Sequence, residues 1–146
     1  AIETPPVKVN CDPTEIHQLI MNLCTNAYQA MEEKGGLLLI TLEPVIMNGN
    51  ENAANIQPPI SEGAYVKLVV SDTGCGMDED VIRHIFDPFF TTKERGKGTG
   101  LGLATVSRIV ADLKGGVAVK SNPGEGAEFT LYLPRYDFKA KNPKKR

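Results

Sequence analysis

Two glycine pairs, Gly35-Gly36 and Gly115-Gly116, divide the chain, and each stands between a stretch of helical periodicity and a stretch that reads as a strand. Glycine just past the last periodic residue is a common way to close a helix. Before the first pair, Ile16, Leu19, Ile20, Leu23, Ala27, Ala30 and Met31 recur at helical spacing, so one face turns to a core. The start of this helix is signalled by Asp12-Pro13-Thr14-Glu15: a capping carboxylate, a proline suited to the first helical position, and a Glu where a capping-box carboxylate belongs. Before the second pair, a helix is predicted from about Gly100 to Leu113, and a shorter one from about Asp78 to Ile85.

Strands are predicted at Val7–Asn10, Leu37–Leu42, Val66–Ser71, Val117–Ser121 and Ala127–Leu133. The last two form a hairpin turned by Asn122-Pro123-Gly124. Glu43 to Gly63, rich in Asn and Pro and without period, reads as a long surface loop, and Phe86 to Gly98 as a mobile loop. Helices and strands do not alternate strictly. The order predicts an α+β two-layer sandwich, a mixed sheet of about five strands with three helices on one face. Residues 1–136 make one domain and the basic stretch 137–146 a tail or linker.

At 146 residues the chain can bury a core without staples. A net charge of −2 gives no sign of nucleic-acid or membrane binding. No apolar run reaches the ~18 residues of a membrane span. Cys11, Cys24 and Cys75 are odd in number and lack zinc-ligand spacing, which points to reduced thiols of a cytoplasmic protein.

Four clusters carry chemistry. Asn22 and Asn26 lie four residues apart on one helical face, extended by Gln18 and Gln29; an amide oxygen is a hard, neutral ligand suited to Mg2+. Asp72-Thr73-Gly74-Cys75-Gly76-Met77 places a carboxylate at a strand end before glycines that let backbone approach a flat ligand. A carboxylate only accepts hydrogen bonds, so it can receive the amine of adenine and would oppose the carbonyl of guanine. Phe86-Asp87-Pro88-Phe89-Phe90 could anchor a lid to the core, with Lys93, Arg95 and Lys97 offering charge to phosphate. Gly98-Thr99-Gly100-Leu101-Gly102-Leu103 leads into a helix, so backbone N–H groups and the helix terminus make an anion site. Each cluster alone also has a plain structural reading: a solvated helix face, a turn, a core-anchoring loop, a glycine-rich turn.

In order and spacing, the four together resemble the catalytic and ATP-binding domain of sensor histidine kinases, within the gyrase, heat-shock chaperone, histidine kinase and MutL group. Gln18–Ala30 looks like the N box, Asp72–Met77 the G1 box, Ile85–Lys93 the F box and Gly98–Leu103 the G2 box. Gly124-Glu125-Gly126 followed by Phe129–Pro134 is similar to the closing glycine-and-strand element, and the F-box wording is nearest to nitrogen-regulation-type and hybrid kinases. The likeness runs over roughly residues 7 to 134.

The resemblance implies a Bergerat fold and the cofactors ATP and Mg2+. It implies catalytic roles for Asn22 and Asn26, with Asn26 as the metal ligand, and an adenine contact at Asp72. Gly74, Gly76 and Met77 would shape the pocket; Gly98, Thr99, Gly100, Leu101 and Gly102 would line the phosphates, with Lys93 added on charge and position. Three positions depart from the family's wording: Gln29 replaces a frequent basic residue, Ala30 a frequent aromatic ring and Ala127 a common Thr.

The expected reaction is phosphoryl transfer from ATP to a histidine on a separate dimerisation domain, and onward to a response regulator receiver domain. His17 and His84 sit in no phosphoacceptor motif, so little turnover is expected of this piece alone. The alternatives are an ATP-hydrolysing switch of the gyrase or MutL type and an anti-sigma-type protein-serine kinase. Gyrase-type relatives place a water-activating Glu where this chain has Asn22.

Overall fold

A computed structural model describes residues 8–48, 55–91 and 101–136. The first helix, α1 (Pro13–Ala30), starts as its sequence dictates: Asp12 caps it by accepting from the Thr14 N–H at 2.9 Å. Leu19, Leu23 and Ala27 form its buried stripe. Four strands follow: β1 (Leu38–Met47), β2 (Gly63–Asp72), β3 (Gly116–Ser121) and β4 (Ala127–Pro134). Between β2 and β3 lie α2 (Glu79–His84) and α3 (Gly102–Asp112).

The sheet order is β1-β2-β4-β3, with every neighbouring pair antiparallel. This is the expected α+β two-layer sandwich, differing in sheet detail. Four strands rather than about five are present among the described residues, and none is parallel. Residues 8–10 are not in a strand, and Val7 lies outside the described residues, as does the tail from 137.

Paired residues on adjacent strands share a face. Leu68 and Val70 of β2 therefore lie with Leu131 and Phe129 of β4 and Val117 of β3. Leu19 and Leu23 of α1 and Val106, Ile109 and Val110 of α3 close over this face to make the main core. The second glycine pair matters to that closure. A Cβ on Gly115 would stand 2.1 Å from the Tyr132 carbonyl oxygen, so α3 can turn back onto the sheet only where that atom is absent.

The stretch from Glu43 to Gly63, expected as loop throughout, is strand at its start, because β1 continues to Met47. Val45 and Met47 pair with Tyr65 and Gly63. On the sheet face away from the helices, Met47, Ile56 and Tyr65 build a small second core, and Gln57 bridges to Val117. Two isolated isoleucines in a polar segment carry no period, so this satellite core is not readable locally.

The helix layer does not reach the outer strand. Leu38, Ile40 and Leu42 face the helical side yet stay exposed, Leu42 at 59%. Leu131, by contrast, is 0% exposed. Leu131→Ala should therefore cost about 2–5 kcal/mol of unfolding free energy. Leu42→Ala should stay within about 0.5 kcal/mol. Urea denaturation midpoints measure both, and equal losses would mean that the face of β1 is packed in solution.

Candidate functional site

The end of α1 meets the loop that follows β2. The last carbonyls of a helix lack intrahelical partners; here the Ala30 oxygen accepts from the Cys75 N–H at 3.1 Å. Gly74 sits so close that a Cβ on it would be 2.5 Å from that same oxygen. Thr73 adds a tie, its Oγ1 accepting from the Leu37 N–H at 3.0 Å. The loop 73–77 is thus seated on the C-terminal end of α1.

Asp72 stands at the root of this loop. It is 5% exposed, and its Oδ1 accepts from the Gly74 N–H at 2.8 Å. No other hydrogen bond reaches the carboxylate from the described residues. A carboxylate has room for more than one donor, so Asp72 keeps acceptor capacity beside the loop.

At Asn22 the polar flank of α1 meets the start of α3. Gln18 Nε2 donates to Asn22 Oδ1 at 2.9 Å, and Asn22 Nδ2 donates to the Gly102 carbonyl at 3.1 Å. Asn26 lies one turn further along, half-buried, its side-chain amide making no hydrogen bond among the described residues. One turn beyond it, Ala30 touches the Asp72 loop. Asn22 thus meets the start of α3, while the end of the same helix meets the Asp72 loop.

Leu101, which precedes α3, offers its carbonyl to the Thr105 N–H at 2.9 Å, and Gly102 opens the helix. Lys93, Gly98, Thr99 and Gly100 lie outside the described residues. Of the three phenylalanines expected to anchor this region, two do so. Phe86 meets the core ring of Phe129 edge-on at 6.4 Å, and Phe90 packs on the core 5.7 Å from His84. Phe89 points outward, 73% exposed, with φ of 68°. His17 is exposed, and so is His84, whose Nδ1 is 3.0 Å from Asp87 Oδ2.

One contributor was absent from the sequence reading. Ser121 Oγ accepts from the Met77 N–H at 2.9 Å and donates to the Gly126 carbonyl at 2.6 Å. A serine at a strand end carries no signal of such a role by itself.

Comparison with known proteins agrees with this fold. The family described as histidine kinase-, DNA gyrase B-, and HSP90-like ATPase matches residues 11–137, and the chain belongs to it. It is similar to the sensor kinase CckA of Brucella abortus, 41% identical over 127 residues, which are 87% of this chain and 13% of that protein. The sensor histidine kinase ZraS of Escherichia coli O157:H7 is 38% identical over 87% of this chain and 23% of its own length. The chain therefore spans less than a quarter of either relative. Among solved structures, the catalytic domain of histidine kinase ThkA aligns with a TM-score of 0.63 at 30% identity, over 87% of this chain and 70% of that one. Full-length ShkA in complex with AMPPNP aligns with a TM-score of 0.63 at 30% identity, over 90% of this chain and 24% of that one. The fold is that of histidine kinase catalytic domains.

Two of the thiols should differ in reactivity. Cys75 is exposed on the Asp72 loop. Cys11 is half-buried, and burial, with lesser help from the Glu15 and Asp12 carboxylates, pushes its thiol above the usual range. The thiolate is the nucleophile, so a raised pKa means less of it at a given pH. Iodoacetamide near pH 8 should label Cys75 several-fold faster than Cys11, as followed by peptide mass spectrometry. Equal rates would mean that Cys11 is open to solvent.

Proposed function

We propose that this chain is the catalytic domain of a two-component sensor histidine kinase, presenting Mg-ATP to a histidine on a separate dimerisation domain of the same protein. In that reaction the γ-phosphorus forms a bond to an imidazole nitrogen as its bond to the ADP oxygen breaks. A response regulator receiver domain then takes the phosphoryl group. The nucleotide supply puts this domain in the cytoplasm.

The observation that carries the reading is the Asp72 carboxylate: nearly buried, one oxygen fixed by the Gly74 N–H, and capacity left for the exocyclic amine of adenine. Gly74, Gly76 and Met77 shape the base site; Leu101 and Gly102, with Lys93, Gly98, Thr99 and Gly100, serve the phosphates. The Asn26 amide, without a hydrogen bond among the described residues, fits a hard cation that keeps waters and takes phosphate oxygens. When bound, Mg2+ neutralises charge on the phosphates, and the protein's own contribution is positioning.

The gyrase-type reading is weaker at one residue. Asn22 stands where a water-activating carboxylate would act, and both ends of its amide are engaged, by Gln18 and Gly102. An amide cannot take a proton at neutral pH. Steady-state phosphate release by this chain alone should therefore be slight, and enzyme-like turnover would favour the hydrolytic switch.

Calorimetric titration tests the site. Asp72→Asn exchanges an acceptor for a mixed donor–acceptor and should weaken ATP binding about tenfold or more. Asn26→Ala should flatten the Mg2+ dependence of binding. Wild-type ATP affinity in Asp72→Asn would remove the adenine assignment; an unchanged Mg2+ dependence would remove Asn26 from the metal site.

A further inference from the structure

We infer that Ser121 is a positioning residue that holds the loop 73–77 in the shape framing Asp72; this rests on the adenine reading of that loop. Cross-strand pairing puts Asp72, Ala127 and Ser121 in one row across β2, β4 and β3, so all three share a sheet face. Ser121 is two strands away from Asp72 and reaches the loop only through its hydroxyl.

A hydroxyl has one proton to give and lone pairs to receive with. Here the proton goes to the Gly126 carbonyl at 2.6 Å, and a lone pair takes the Met77 N–H at 2.9 Å. Each bond orients the other. The loop and the β3–β4 turn are also pressed together by backbone alone. The Gly124 N–H donates to the Cys75 carbonyl at 2.7 Å. A Cβ on Gly76 would lie 2.0 Å from the Asn122 carbonyl oxygen of the backbone, and one on Gly126 would lie 2.0 Å from the backbone carbonyl oxygen of Asp72. Both glycines have positive φ, 72° and 78°. Loop and turn thus make one layered unit, with no side-chain bulk between them and Ser121 as the clasp.

The consequence is for base recognition. The Gly74 N–H that orients the Asp72 carboxylate belongs to the same loop. Removing the Ser121 hydroxyl leaves the Met77 N–H and the Gly126 carbonyl each short of a partner. The loop then gains alternatives that do not aim the carboxylate. A purely structural role for Ser121 would lower stability and leave the preference for adenine over guanine nucleotides untouched.

The test is calorimetric titration of ATP and GTP against the wild type, Ser121→Ala, Ser121→Thr and Asp72→Asn, with amide hydrogen exchange read at Met77. Ser121→Ala should weaken ATP binding about tenfold and lower the ATP-to-GTP preference, while Ser121→Thr, which keeps the hydroxyl, should stay within about threefold of wild type. Met77 exchange should be slow in the wild type and faster in Ser121→Ala. An unchanged preference in folded Ser121→Ala overturns the inference. So does wild-type exchange at Met77 as fast as an exposed amide, a reading that stands even if Ser121→Ala does not fold. If Asp72→Asn loses ATP affinity and Ser121→Ala does not, only the role of Ser121 falls. If neither loses affinity, the adenine reading falls with it.

Discussion

A helix that ends inside a protein must hand its last carbonyls to some other donor. At the end of α1 the donor is the loop after β2, through the Cys75 N–H on the Ala30 oxygen. Gly74 is the residue that allows the approach, since any side chain there would collide with the same oxygen. Through this contact the tip of β2, where Asp72 sits, is brought to the end of α1 whose flank carries the asparagines. The candidate site is the consequence of how one helix is terminated.

The contact holds its geometry because the bodies on either side are rigid. α1 and α3 are fixed by a shared apolar face on β2, β4 and β3, centred on Phe129 and Leu131. Interiors packed at crystal-like density transmit displacement rather than absorb it. Phe86, edge-on to Phe129, extends that rigidity into the segment 85–91 that follows α2. The outer strand β1 stands apart: its helix-facing residues are not covered, and Pro44 lies within an edge strand, where a missing N–H is tolerated.

Much of this was legible in the sequence, for definite reasons. The long helices announced themselves by period, and Asp12 and Pro13 start α1 as their chemistry requires, but α1 closes at Met31, short of Gly35-Gly36, and Lys114 rather than a glycine takes the left-handed position after α3. The four clusters stood out because residue types with narrow uses recur in order, and the family match spans all of them. What escaped depends on partners distant in sequence. The extension of β1 to Met47 is stabilised by Tyr65, Ile56 and Ile60, none of which makes a local pattern with it. Ser121 gains its role only because a hairpin turn is laid against a loop some 45 residues earlier, a juxtaposition that the hairpin signal alone does not contain.

The two asparagines of α1 show the same limit more sharply. Placed four residues apart on one helical face, they are equivalent by spacing. The structure makes them unequal. Asn22 spends its amide between Gln18 and the Gly102 carbonyl, joining α1 to the first residue of α3. The Asn26 amide, one turn on, makes no hydrogen bond among the described residues. For Asn22 to take a ligand, its bond to Gly102 must first break, at about 0.5–1.5 kcal/mol for a neutral pair of this kind. Because Gly102 opens α3, that bond ties the flank of α1 to the first residue of the next helix. Two residues alike by spacing are thus set apart by their partners: Asn22 is a tie between helices, and the Asn26 amide is unengaged among the described residues.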